Sequence, residues 1–301
     1  MGFKMLPTQG RSIHKKAKDK LCNHCDFATS YATCLAKHIK VVHARTKDNP
    51  CSLCAYTTVD RGYLKAHIKA IHRTDPDRIV TIPRGVDFAA FDPAAVPPDR
   101  ISELKAGWQI EDGDDRLVFV LPGRLTSWKG QSLAIDALGA LDAAERTKVH
   151  LVLAGDDQGR KGYVTELEDK IIAHKLGGTV SIVGHTSDMP AAYMAADVVL
   201  APSTRPEAFG RVAAEASAMA KPVIVADHGG QRETVVEGQT GTRAEPGSVA
   251  ALTACIRTLL NLRAEARTAM GLAGQTYVRE RFSKKQLQTA TLNVYARLLL
   301  K

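Results

Sequence analysis

From residue 79 onward, short apolar runs alternate with amphipathic stretches. Residues 117–121 (LVFVL), 149–153 (VHLVL), 180–183 (VSIV), 197–200 (DVVL) and 222–226 (PVIVA) predict buried strands. Between them, 132–141, 164–175 and 211–220 carry helical spacing and predict amphipathic helices. Strands and helices in alternation build a parallel sheet with helices on both faces. Ligands of such sheets sit at the carboxyl ends of the strands, so the chemistry is to be sought just after each apolar run.

The first quarter of the chain has a different texture. Cys22-x2-Cys25-x12-His38-x4-His43 is followed by Cys51-x2-Cys54-x12-His67-x4-His72, an internal repeat of 29 residues. Two thiolates from a tight turn and two imidazoles from one helix face supply the tetrahedron that zinc takes. Phe27 and Tyr56 lie two positions after the second cysteine of each unit, and Leu35 and Leu64 three positions before its first histidine. Each pair makes a core too small to fold without a metal. Cys34 reads as a free helix thiol.

Both units resemble the two-Cys, two-His zinc-finger family, which implies two small ββα modules with one structural zinc each. The family reads bases from the start and middle of its helix. Aligned on the zinc histidines, those positions are Tyr31, Cys34 and Lys37, then Asp60, Tyr63 and Ala66. Only Lys37 and Asp60 suit base edges. The resemblance therefore implies weakly specific DNA or RNA binding, helped by the basic stretch 11–20, or a protein-contact role.

Charge divides the chain at the same seam. Residues 1–78 hold 15 of the 41 Lys and Arg and 6 of the 32 Asp and Glu, leaving 26 of each sign in residues 79–301. The whole excess of +9 thus sits before the seam, as for a polyanion-binding module beside a neutral domain. Paired CxxC and His motifs argue for metal rather than disulfides, and so for a reducing, intracellular compartment, cytoplasmic or nuclear. No apolar run reaches the length of a membrane span, and residues 1–20 lack the apolar core of a secretory signal.

The apolar runs of the second module are each followed by polar residues. These are 123–130 (GRLTSWKG), 154–157 (AGDD), 184–185 (GH), 202–215 (PSTRPEAFGRVAAE) and 228–233 (HGGQRE), and they place five loops on one rim. Together with 82–87 (IPRGVD), this set resembles the C-terminal domain of retaining glycosyltransferases with two facing Rossmann-like domains, the GT-B type of family 4. The resemblance covers residues 76–301. It implies one Rossmann-like half of a GT-B fold, preceded by the two fingers, and a nucleotide-sugar donor as substrate without a catalytic metal.

The resemblance also implies residue roles. Arg124 and Lys129 would stabilise the diphosphate as it leaves. Glu207 would hold the donor sugar, Glu215 the ribose, and Gly123, Gly184, Ala208, Phe209 and Gly210 would line the nucleotide. Charge that grows on a leaving diphosphate explains fixed cations and a helix N-terminus aimed there. Arg84 and Ala208 replace the family's commoner Asn and Gly, and Ala208 is expected to keep a negative φ. Asp156 and Asp157 read as caps of the next helix. His150, His174, His185 and His228 show no partner in the sequence, with His185 nearest the expected site. Cys255 reads as a buried helix thiol.

The expected organisation is a basic arm 1–21, fingers 22–43 and 51–72 joined by a linker 44–50, a seam 73–78, and the donor domain 79–301. The resemblance leads us to expect the acceptor-binding half to be missing from residues 1–78, and hexosyl transfer only where that half is supplied. The terminal helix then exposes Leu287, Leu292, Val294, Tyr295, Leu298 and Leu299, a face for a dimer or a separate acceptor partner. The alternative is a zinc-dependent nucleic-acid-binding protein with the α/β domain as scaffold.

Overall fold

The structure is a computed structural model that describes residues 80–111 and 113–300, the short strands Lys20–Leu21, Ala28–Thr29, Asn49–Pro50 and Thr57–Thr58, and the helical residue Ile68. The chain divides into two units, residues 1–51 with 56–73, and residues 52–55 with 74–301.

In the first unit, Lys20–Leu21 pairs antiparallel with Ala28–Thr29, and Asn49–Pro50 with Thr57–Thr58. Each ladder brackets one CxxC pair, and the second repeats the first 29 positions on. The eight metal-ligand candidates Cys22, Cys25, His38, His43, Cys51, Cys54, His67 and His72 lie outside the described residues.

The second unit is built on six parallel strands: β1 Leu117–Pro122, β2 Val149–Ala154, β3 Val180–Gly184, β4 Val198–Ala201, β5 Val223–Ala226 and β6 Gly241–Ala244. Their order across the sheet is β6-β5-β4-β1-β2-β3. Starting at β1, the chain winds outward to one edge and then to the other, which is the doubly wound arrangement. The helices are α1 Pro98–Gly107, α2 Gln131–Gly139, α3 Ala143–Arg146, α4 Lys161–Ala173, α5 Met189–Ala195, α6 Arg211–Ala218, α7 Val249–Asn261, α8 Ala264–Arg281 and α9 Lys284–Leu299.

Alternation within the strands divides the core into two layers. Phe119, Leu121, Leu151 and Leu153 pack with Ile135 and Leu138 of α2, Leu167 of α4 and Ile256 of α7. Val118, Val120 and Val152 face the other way, against Ala192 and Tyr193 of α5 and Ala213 and Ala216 of α6. Cover on both faces is why the central strands read as continuous apolar runs. Each fully buried Leu or Phe contributes about 1.5–3 kcal/mol. A third cluster joins Val86, Phe209, Ala214, Val278 and Phe282. There the Val86 amide donates to the Phe282 carbonyl at 2.7 Å, so the 82–87 segment is stitched to the joint between α8 and α9.

The sequence missed β6, α1, α3, α5, α7 and α8. Gly241–Ala244 is four residues with an arginine inside and gives no apolar run. The α6 helix starts at Arg211, where the sequence places it, and Gly210 caps it in a left-handed conformation at φ 82°. Asp156 and Asp157 do not cap α4. Their carboxylates accept from the Gln158 and Gly159 amides, closing turns inside the loop, and Arg160 stands at the cap position. On α9, Leu292, Tyr295, Leu298 and Leu299 are exposed, while Leu287 and Val294 are half-buried. Among the described residues no helix is long and apolar enough to cross a membrane.

Candidate active site

The carboxyl ends of β1, β4 and β5 carry loops that interlock. The loop after β1 is tied to the loop after β4 by the Thr204 amide, which donates to the Trp128 carbonyl at 2.8 Å. It is tied to the loop after β2 by the Leu125 amide, which donates to the Asp156 carbonyl at 3.0 Å. The loop after β5 clamps the loop after β4 from the other side, since the Gly230 amide donates to the Glu207 carbonyl at 2.7 Å. A Cβ on Gly230 would stand 2.3 Å from the Ala208 carbonyl oxygen, so only glycine lets these two backbones meet.

This framework brings Lys129 and Glu207 together. The Lys129 ammonium lies 2.9 Å from Glu207 Oε1, with both side chains about 15% exposed, at 15% and 16%. Ser203 donates its hydroxyl to the same carboxylate oxygen. The Lys129 ammonium also stands 4.6 Å above the Trp128 ring, and its stem runs past Gly123. Behind Ser203, His228 donates Nε2–H to the Ser203 carbonyl at 2.8 Å. Burial pulls the His228 pKa below its usual value, so the neutral ring fills this place. Sequence reading gave His228 no partner. The HGG turn after β5 was the available signal, because it follows a strand that ends on the same rim.

Glu215 sits one turn inside α6 and is buried, in a second cluster. Its Oε2 accepts from the Tyr193 hydroxyl at 3.0 Å, and its Oε1 accepts from Arg211 Nε at 3.1 Å and from a terminal Arg211 nitrogen at 2.9 Å. Arg124 is exposed on the loop after β1 and makes no ion pair among the described residues. Its backbone carbonyl accepts from the buried Gln131 side chain at 3.0 Å. Phe209 turns its ring into the third cluster, 5.6 Å centroid to centroid from Phe282, so only its backbone is left for a ligand. Ala208 is exposed and has no positive φ, as expected. Gly184 ends β3 at φ 72°, beside His185.

His150 and His174 also have partners: His150 Nε2 lies 3.0 Å from Ser181 Oγ, and His174 Nε2 lies 2.9 Å from Asp136 Oδ1. Cys255 is half-buried on α7.

A cavity of about 400 Å³ lies elsewhere, between α1 and the loop after β3, lined by Arg100, Glu103, Trp108, His185 and Asp188 among others. Of the predicted residues it contains only His185. Lys129 and Glu207 do not line this cavity. No cluster of three or more His, Cys, Asp or Glu suited to a metal ion occurs among the described residues.

An all-parallel doubly wound sheet with helices on both faces and polar loops along its carboxyl rim defines this unit as one Rossmann-like half of a GT-B fold. The sequence profile of the glycosyl transferases group 1 family matches residues 103–277, and the chain belongs to that family.

D-inositol 3-phosphate glycosyltransferase of Xylanimonas cellulosilytica is 33% identical over 226 residues, which covers 74% of this chain and 52% of that protein. A glycosyltransferase from Rickettsia africae superimposes with a TM-score of 0.72 at 28% identity, over 79% of this chain and 62% of that one. Anabaena Alr3699/HepE, solved in complex with UDP-glucose, superimposes with a TM-score of 0.64 at 29% identity, over 77% of this chain and 60% of that one. The chain spans about half the length of the curated relatives it matches.

Proposed function

We propose that residues 79–301 bind a nucleoside-diphosphate sugar on the carboxyl rim of the sheet, as the donor half of a retaining, metal-independent glycosyltransferase. The observation that carries this reading is the Lys129–Glu207 pair, a half-buried cation and carboxylate from two distant loops fixed at one point of the rim. Lys129, with Arg124 reaching in from the surface of the same loop, takes the diphosphate. The free amides at the start of α6, beyond Ala208 and Gly210, face the same charge. Glu207, held by Ser203, accepts from the sugar hydroxyls, and Glu215 from the ribose. Backbone at Gly123, Gly184 and Phe209 lines the nucleotide. Negative charge grows on the diphosphate as the sugar's C1–O bond breaks, so fixed cations there stabilise the transition state more than the ground state. Transfer of a hexosyl group requires an acceptor-binding half, for which the exposed face of α9 is the proposed docking side.

Titration of UDP, GDP and ADP into the folded chain, followed by calorimetry, tests the reading. Heat of binding with one of them is expected. No heat with any overturns the donor-half assignment.

The proposed second module is the finger pair 22–43 and 51–72, with arm 1–21, linker 44–50 and seam 73–78 around it. Cys22, Cys25, His38 and His43 would hold one zinc, and Cys51, Cys54, His67 and His72 the other. Support comes from the two ladders that bracket the CxxC pairs at the same 29-residue period. The basic balance of residues 1–78 favours DNA or RNA as its partner. A zinc-dependent gel shift that weakens steeply with salt is the expected result. No shift at low salt removes the nucleic-acid partner.

A further inference from the structure

Glu215 is a buried carboxylate whose two oxygens are held in different ways. Tyr193, on α5, is fully buried and donates its hydroxyl to Oε2 at 3.0 Å. Phe91 packs against its ring, with 6.0 Å between centroids. Arg211, one helical turn before Glu215, covers Oε1 through Nε and a terminal nitrogen at 3.1 and 2.9 Å. The Arg211 side chain is 69% exposed, against 10% for Glu215.

These partners are not equivalent. A phenol ring locked in the core has nowhere to turn. If its hydroxyl left Oε2, a buried donor and part of a buried charge would be unpaired together. Burial, then the nearby Glu215 charge, hold the Tyr193 pKa well above its usual value, so it remains a donor. A guanidinium on a flexible, exposed stem regains water at once when it swings away, and an ion pair with one exposed partner adds little net stability. Oε2 is therefore permanently engaged, and Oε1 is exchangeable.

We infer that Tyr193 is a positioning residue that holds Glu215 with Oε1 toward the rim, and that Arg211 is a reversible cover for that oxygen, displaced when a ribose hydroxyl of a bound nucleotide takes its place. The inference rests on the donor-site reading and adds its selectivity device. A ribonucleotide trades the Arg211 contact for a hydroxyl on Oε1. A 2′-deoxynucleotide cannot make that hydrogen bond fully and leaves the cover in place. Preference for ribose then depends on both residues, in opposite senses.

The test uses the tightest binder among UDP, GDP and ADP together with its 2′-deoxy counterpart, titrated into wild type, Tyr193→Phe and Arg211→Met, each checked for folding by circular dichroism. Tyr193→Phe frees the carboxylate to turn and should shrink the ribose-to-deoxyribose affinity ratio by roughly tenfold, the worth of one hydrogen bond to a charged group. Arg211→Met removes the competitor and should tighten ribonucleotide binding and widen the ratio.

Roles limited to packing would shift both affinities in parallel and leave the ratio alone. An unchanged ratio in Tyr193→Phe overturns the positioning role. Weaker ribonucleotide binding in Arg211→Met overturns the cover. Arg211 is exposed, so that variant carries the test even where the buried substitution unfolds the domain. Wild type that binds a nucleotide with no preference for ribose removes the Glu215–ribose contact and this inference with it. Wild type that binds none of the three removes the donor-site reading itself.

Discussion

Lys129 and Glu207 stand 78 positions apart, yet the Lys129 ammonium lies 2.9 Å from Glu207 Oε1. Glu207 takes a second donor from Ser203, and Ser203 is in turn fixed through its carbonyl by His228. Loops after three strands thus converge on one carboxylate. The cation and the carboxylate satisfy each other. On the proposed reading a diphosphate would change the balance, because it would bring more charge to Lys129 than Glu207 does.

Lys129→Met is expected to weaken nucleoside-diphosphate binding by roughly 10–100-fold, the range for losing a hydrogen bond to a charged group. The unphosphorylated nucleoside should bind the variant and wild type alike. Glu207→Gln should behave oppositely. It releases Lys129, so diphosphate affinity holds or rises, while the sugar-bearing donor exchanges a charged hydroxyl acceptor for a weaker neutral one and binds more weakly. Calorimetry with the nucleoside, its diphosphate and the diphosphate sugar separates these effects. Equal losses for all three ligands in Lys129→Met would contradict the assignment.

The loop after β4 depends on backbone that only glycine supplies. Gly210 caps α6 at φ 82°, and a Cβ there would stand 2.3 Å from Gln231 Cβ and 2.6 Å from Gln231 Cα. Gln231 is fully buried and has little room to yield. Gly210→Ala therefore combines a left-handed conformation with overpacking and should cost about 2–5 kcal/mol of stability. Urea unfolding checks this. Gly162→Ala serves as control: it lies within α4 with open space around its Cβ position, and should be neutral or slightly stabilising.

Much of this architecture was legible in the sequence, and the failures have physical causes. The four central strands are buried on both faces, so each left an apolar run that no loop imitates, and the half-buried edge strand β3 left one too. The sixth, Gly241–Ala244, is four residues of sequence GTRA and leaves no such run. Lys129 and Glu207 were singled out by the resemblance of their loops, and both loops follow strands that end on the rim. The His228–Ser203 contact was not, since a histidine that donates to a backbone carbonyl leaves no mark on the partner's identity. Tyr193 was equally silent. One tyrosine on a short alanine-rich helix reads as core, and it is core, apart from the hydroxyl that meets Glu215. Phe209 sits within the same motif, and the packing of its ring against Phe282 left no mark in the sequence.

Acid should loosen the α/β domain through two histidines. His150 is buried in β2 and His228 half-buried after β5, and burial above all lowers each pKa from its ordinary value of 6.5. Arg116 pushes His150 further down. For a group with a depressed folded pKa, the unfolded chain takes up the proton first. Stability is therefore fully present above the unfolded value and falls as pH drops through 6.5 toward the folded pKa values. The urea midpoint should be flat from pH 8 to 7 and decline from pH 6.5 to 5. A double variant, His150→Gln with His228→Gln, should start less stable at pH 8 and show a shallower decline. An identical slope in the double variant would assign the acid sensitivity to other groups.

Metal content tests the first unit independently of the second. A module of about thirty residues buries too little apolar surface to fold alone, so metal binding supplies most of its folding free energy. On the proposed reading, the two ladders at a 29-residue period, each bracketing a CxxC pair, correspond to two equivalent sites. Elemental analysis of the purified chain should return two zinc ions, and Cys25→Ser or Cys54→Ser one each. The chain has six cysteines, of which four belong to the proposed sites and Cys34 and Cys255 do not. A thiol reagent should therefore count at most two reactive groups in the folded zinc-bound protein and six after chelator and denaturant. Chelator should abolish structure in the first unit and leave the nucleotide titration of the α/β domain unchanged, because none of the proposed donor-site residues is a zinc ligand. Zinc-free protein with an undiminished far-ultraviolet spectrum would show that the paired ladders form without metal, and the finger assignment would then fail even though the transferase half stands.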